Sequence, residues 1–283
     1  MLELRDEDIS MNKEQILDKF KRSIPQWASA SVRTRYPYIV GRFIDHVGVK
    51  PVYTRDDAVQ FLNHMMANGA KPHYVRWIGY VLITFYKYMG FKRPFADREL
   101  PAKPLEHEMV KPTLSADKVA ELVAAVLDRG SSRMKAYLAV STIYGLRAVE
   151  LAGLRKDDFK GGYITVRTAK GRALGVHPIP SEIAQYVNYN FKPCTAQAMS
   201  LLFKRIQALA DQQHAEHEGF HSIRRGLVKG LLDNKVDQRY VTMFLRWKIA
   251  GSMLATYAAP DASEMPKAHA EVFKKHPYLN LWR

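Results

Sequence analysis

Four short stretches in the second half of this chain carry side chains that could act on a phosphate. In YGLRAVELAGL, Arg147 follows a glycine suited to ending a helix. An arginine just past such a break can aim its planar fork at a phosphate. Glu150, three residues on, could hold that arginine or cap the next turn; taken alone, the two also read as a surface ion pair. In TAKGR, Lys170 occupies a turn from which a lysine can reach into a groove and give a proton to a leaving oxygen. Arg167 and Arg172 are rivals for that role, and an ordinary solvated turn is the plain alternative. GFHSIRRGL sets His221 and Arg224 three apart, on one face of a helix. Such a pair suits a phosphate that gains charge as it becomes pentacoordinate. Finally, LRWKIAGSMLATY holds Trp247, whose indole N–H donates and never takes up a proton, with Tyr257 ten residues later. A tyrosine with a pKa of about 10 is a poor nucleophile, so surrounding cations must favour its phenolate. The competing place for both aromatics is the core.

Charge points the same way. The 283 residues carry 43 Lys and Arg against 28 Asp and Glu, a formal net charge of +15. That excess favours a polyanion, because each neutralised phosphate releases a condensed counterion. A composition 47% hydrophobic and 25% charged is that of a soluble globular chain of one large or two ordinary domains. No stretch reaches the roughly 18 apolar residues of a membrane span, and MLELRDEDIS lacks a signal-peptide core, so a cytoplasmic, nucleoid-associated location is expected. One cysteine, Cys194, excludes an intrachain disulfide framework and a cysteine-based zinc site.

The elements that must position these residues fall on either side of a proline-rich stretch. Pro94, Pro101, Pro104 and Pro112 break any continuous helix, so residues 93–113 read as a linker. Residues 1–22 read as an arm or short helix, and 23–92 as a helical domain. Its first helix runs from Val32 through Tyr36, Val40, Phe43 and Val47, with Pro37 predicting a later start or a bend. A second opens at Thr54, where TRDD offers a cap and acids for the dipole. The third follows Pro72, buries Tyr74, Ile78, Val81, Phe85 and Tyr88, and stops near Gly90. Residues 114–260 form a second domain that opens with a helix capped by Ser115 and carries another from Ser132 to Gly145. Its β segment pairs Tyr163–Arg167 with Val176–Ile179 across the Lys170–Gly171 turn. The expected fold is mainly α with a small β-hairpin or sheet. The tail, 261–283, ends in the apolar cluster Tyr278, Leu279, Leu281 and Trp282. Left exposed, that cluster would be a liability, so packing on a neighbouring subunit is expected, with packing on its own domain as the alternative.

Arginine in GLRxxEL, hairpin lysine, HxxR, tryptophan and tyrosine, in that order, resemble the tyrosine recombinase (phage integrase) family, and the resemblance spans the chain. It implies an N-terminal helical core DNA-binding domain and a C-terminal catalytic domain that cuts and rejoins DNA without cofactor, metal or ATP. By the same resemblance, Arg147 and Arg224 clamp the scissile phosphate and Lys170 protonates the departing 5′ oxygen. His221 assists proton transfer, Trp247 hydrogen-bonds the phosphate or buttresses the nucleophile, and Tyr257 forms a 3′-phosphotyrosyl link. The implied partners are double-stranded DNA with a specific recombination site and further copies of the chain, a tetramer on DNA with exchanged tails. Arg33, Arg35, Arg42, Lys71 and Arg76 could contact the DNA backbone or form a solvated basic face.

Three features depart from the family pattern. Arg225 stands where many relatives have histidine, and Arg246–Trp247 replaces the commoner glycine–histidine pair. The step from Trp247 to Tyr257 is also about one residue longer, accommodated in IAGS; Tyr240, before Trp247, fits the order poorly. Other readings are a type IB topoisomerase-like relaxing enzyme, a non-catalytic DNA-binding protein on the same scaffold, and an RNA-binding protein resting on charge alone.

Overall fold

A computed structural model describes residues 11–102, 111–167, 174–247 and 262–283. It divides into two compact units, Met1–Val110 and Lys111–Arg283. Unit one has four described α-helices: α1 (Lys13–Ser23), α2 (Ala30–Val47), α3 (Arg55–Ala67) and α4 (Pro72–Met89). Their ends follow local chemistry. Asn12 and Gln15 form a capping box on α1, Thr54 and Asp57 another on α3. Gly90 closes α4 in the left-handed conformation at φ +78°. The α2 helix begins at Ala30, capped by Ser29, and runs on through Pro37 instead of starting after it.

Phe43 sits at the centre of this unit, with ring centroids of Tyr53, Phe61 and Phe85 at 5.2, 5.6 and 6.0 Å. Ile78, Val81 and Phe85 of α4 are buried as their spacing predicts; Tyr74, half-buried, packs against the same core and stacks on Trp77, whereas Tyr88 is exposed. The start of the expected linker is not simply extended. Phe95 and Leu100 are buried in the core of this unit around a 3₁₀ turn at Asp97–Glu99. Gly79 leaves the space that Leu100 fills, since a Cβ there would lie 2.3 Å from it.

Unit two is built round α6 (Ser132–Tyr144), buried without interruption from Ala136 to Tyr144. A helix apolar on all sides must be covered on all sides. Around it lie α5 (Ala116–Arg129), α7 (Ala148–Ala152), α8 (Ser181–Ala184), α9 (Ala196–Leu209), α10 (Phe220–Asp233), α11 (Gln238–Phe244) and α12 (Met265–Lys274). Three antiparallel strands, β1 (Phe159–Lys160), β2 (Tyr163–Arg167) and β3 (Leu174–Pro178), are ordered β1–β2–β3. Arg167 pairs with Leu174 and Tyr163 with Pro178, so the hairpin has the expected partners; β1 is an addition.

In the single chain the apolar cluster of the tail is seated on its own unit, with Tyr278 and Trp282 buried. Three polar contacts explain why that seat suits it. The Trp282 indole donates to Thr142 Oγ1 at 3.0 Å, His276 Nε2 meets the Ile143 carbonyl at 2.9 Å, and the Tyr278 N–H donates to His276 Nδ1 at 3.1 Å. His276 is thus satisfied on both nitrogens only when neutral, and burial pushes its pKa down to about 4. Burial also lowers His177 and His269.

A histidine whose folded pKa lies below its unfolded value favours the fold fully above pH 6.5, and that stability is lost as pH falls towards the folded value. Unfolding by urea at stepped pH should therefore show unit two losing stability between about pH 6.5 and 4. His276→Gln, neutral throughout, should remove on the order of 3 kcal/mol of that slope.

Candidate active site

The site is assembled where α6 stops. Gly145 ends the helix at φ +55°, and a Cβ there would meet Leu227 and Leu245 at 3.1 Å, so the tight left-handed turn takes glycine. That turn delivers Arg147 to the N-cap of α7. The Arg147 backbone N–H donates to Glu150 Oε2 at 2.9 Å and its Nη1 to Oε1 at 2.8 Å. The Glu150 side chain is wholly buried, while a third of the Arg147 side chain stays exposed. The carboxylate is held from behind, and the outer edge of the guanidinium remains available.

Helix α10 brings the HxxR pair. Arg224 is buried, donating through Nη1 to the Gly145 carbonyl and through Nη2 to the Leu245 carbonyl at 2.9 Å. Carbonyls at helix ends lack intrahelical partners, so one guanidinium ties the close of α6 to that of α11. Burial pushes the Arg224 pKa down to about 9; Arg147 and Arg246 add to this and Glu150 opposes it, leaving a cation at neutral pH. The Trp247 ring lies 5.6 Å from its guanidinium carbon, in cation–π range. His221, on the exposed side of α10, is lowered by burial and then by Arg225, Arg224, Arg147 and Lys111. Arg147, His221, Arg224, Arg225, Val228 and Trp247 line one open cleft of about 260 Å³.

The structure thus brings together four of the six residues singled out from the sequence. Lys170 and Tyr257 lie outside the described residues. Of the rivals, Arg167 is paired with Asp158 at 2.8 Å, and Tyr240 is buried on α11 away from the lining of the cleft. Arg225 also serves the architecture, since its Nε and Nη2 donate to the Pro112 carbonyl at 2.8 and 2.6 Å. In unit one Arg76 donates to the Pro101 carbonyl and the Tyr80 hydroxyl, whereas Arg33, Arg35 and Lys71 are exposed.

Two residues stand behind the cleft: Arg246, marked in the sequence only as a departure from the family pattern, and His177, which carries no signal there at all. Arg246 is buried, with Nη1 2.7 Å from His177 Nε2 and Nη2 3.5 Å from Glu150 Oε2. Arg147, Arg224 and Arg246 therefore share one buried carboxylate, which leaves two positive charges uncompensated among the described residues. A cleft built this way accepts an anion.

The sequence matches the model of the phage integrase family over residues 112–264, more than half of the chain. This chain belongs to the phage integrase family. Solved integrases share its fold. A lambda integrase tetramer bound to a Holliday junction matches at TM-score 0.67 and 13% identity, covering 88% of this chain and 77% of that one. A lambda integrase (75–356) dimer bound to a COC′ core site matches at 0.64 and 14%, covering 88% and 95%. The Tn1549 transposon integrase in complex with circular intermediate DNA matches at 0.58 and 17%, covering 92% and 99%. No curated protein matches the sequence. For this integrase-family chain the structural likeness concerns the fold; the chemistry must be argued from its own residues.

Arg224→Lys keeps the charge but cannot reach two helix-end carbonyls with one planar fork. Urea unfolding should show a loss of about 1–3 kcal/mol. Lys229→Ala on the same helix, which removes only an exposed pair with Asp233, should change stability by less than about 0.5 kcal/mol.

Proposed function

We propose that this chain is a site-specific DNA recombinase that cuts and rejoins strands through a covalent 3′-phosphotyrosyl intermediate. The observation that carries the reading is the convergence of Arg147, His221 and Arg224 on one cleft with surplus positive charge. A phosphodiester in that cleft meets the outer edge of Arg147 and the deeper Arg224. The phosphorane formed on attack carries one more negative charge than the diester, so two fixed cations stabilise it more than the ground state.

The Tyr257 oxygen attacks phosphorus, and the bond from phosphorus to the 5′ oxygen breaks. The leaving oxygen takes a proton from Lys170, and the 3′ end stays on the tyrosine. His221, neutral near pH 7, can accept the phenol proton or relay it. In the second step a 5′ hydroxyl from another duplex displaces the tyrosine. One phosphate ester replaces another at each stage, so the exchange proceeds without ATP. Trp247 shields the deeper arginine from water on its exposed side.

Fold relatives include an integrase tetramer on a Holliday junction. Four copies on two duplexes are the assembly we infer for this chain, with the helical first unit and the catalytic second unit both on DNA. In that assembly residues 262–283 could leave their own unit for a neighbour. The two units then correspond to core DNA binding, about 23–92, and catalysis, about 114–260. The chain would act in the nucleoid, or in a host cell if a mobile element encodes it; no described helix is long and apolar enough to cross a membrane.

The test is trapping on nicked genomic fragments. The wild type should form a protein–DNA adduct that yields the target site on sequencing, whereas Tyr257→Phe should form none yet bind DNA with affinity within about twofold. An adduct persisting in Tyr257→Phe would overturn the assignment. Transfer between two labelled duplexes supports recombination; supercoil relaxation without transfer would point to a topoisomerase.

A further inference from the structure

Arg246 occupies a place that asks for glycine. Its backbone lies at φ +55°, in the left-handed region that residues with a Cβ seldom adopt. The side chain is only 4% exposed, although it carries a full charge. Such a residue is doubly unfavourable unless its surroundings are built for it.

They are built for it. On β3, Gly175 leaves the room through which the side chain runs, for a Cβ there would sit 2.3 Å from Arg246 Cδ. Two residues on, His177 is wholly buried and its Nε2 lies 2.7 Å from Arg246 Nη1. Arginine can only donate, so Nε2 must carry the lone pair and the proton must be on Nδ1. That proton points at His269 Nε2, 2.9 Å away. Burial keeps His177 well below its ordinary range, consistent with this neutral acceptor. The Phe244 carbonyl takes a second contact at 3.2 Å. On its other side Arg246 Nη2 reaches Glu150 Oε2, the same oxygen that accepts the Arg147 backbone N–H.

We propose that Arg246 is a positioning residue for strand cleavage: seated over Gly175 and held by His177, it fixes the Glu150 carboxylate and so presents Arg147 to the phosphate. The inference rests on the recombinase reading of the cleft. Arg246 does not line that cleft and acts through Glu150. Its Nε and Nη2 have no hydrogen-bond acceptor among the described residues. The contact to Glu150 is thus electrostatic at 3.5 Å.

Full-length Arg246→Gly suits the left-handed backbone and should fold, which makes it the decisive variant. On the trapped nicked DNA, single-turnover adduct formation should fall ~10–100-fold with DNA affinity changed less than about threefold. Arg246→Lys should restore only part of the rate, because a compact ammonium cannot bridge histidine and carboxylate together. The loss should not multiply with that of Glu150→Gln, since both break one link. A crystal structure of Arg246→Gly is the readout that needs no activity: the Glu150 carboxylate and the Arg147 guanidinium should be displaced. Cleavage at the wild-type rate, multiplying losses, or an unmoved Arg147–Glu150 pair would each overturn the proposal. A displaced pair in a protein whose wild type forms no adduct would uphold the positioning role and defeat the recombinase reading.

Discussion

The side chain of Glu150 is wholly buried and faces two guanidiniums directly, with a third close enough to feel it. Much of the site depends on that imbalance. A lone buried carboxylate would be costly and would shed its charge by protonation. With Arg147 on both of its oxygens and Arg246 behind, Glu150 is the anchor from which the arginines are aimed. A single negative charge cannot neutralise all of them. The surplus is what an incoming phosphate completes; in its absence Arg147 and Arg246 add to the burial that pushes Arg224 down to about 9, and Glu150 opposes them.

Arg224 shows how closely scaffold and chemistry overlap. Its hydrogen bonds go to the carbonyls that close α6 and precede Arg246 after α11. The residue that would hold the phosphate therefore also holds the ends of the two segments that deliver Arg147 and Trp247. Arg225 does the same one position on, through the Pro112 carbonyl at the start of unit two. Loss of function on mutating either would mix lost chemistry with lost architecture, which is why stability and rate must be measured separately.

Much of this was legible in the sequence because it is written locally. Ser115, Thr54, Gly90 and Gly145 mark helix ends by chemistry that acts within a few residues. His221 and Arg224 share a face because three residues nearly complete a helical turn. What could not be read depends on distant packing. Nothing near Phe95 or Leu100 says that they fill space left by Gly79. Likewise, the tail's seat on Thr142 and Ile143 joins residues more than 130 positions apart. Arg246 was visible only as an arginine where relatives prefer glycine; its meaning needed His177 and Glu150 beside it. Strand β1 has two residues, too short to leave a periodic pattern.

The left-handed backbone at Arg246 also has a genetic consequence. Every arginine codon is one base change from a glycine codon, so the exchange at this position is mutationally close in both directions. Physically it is not close, because an arginine here needs a missing Cβ at Gly175, a neutral acceptor at His177 and a buried carboxylate at Glu150. An arginine arriving before those three would be a strained and unpaired buried charge, and a glycine arriving after them would leave an empty channel. Lineages should therefore carry the four positions as a linked set, changing together or hardly at all.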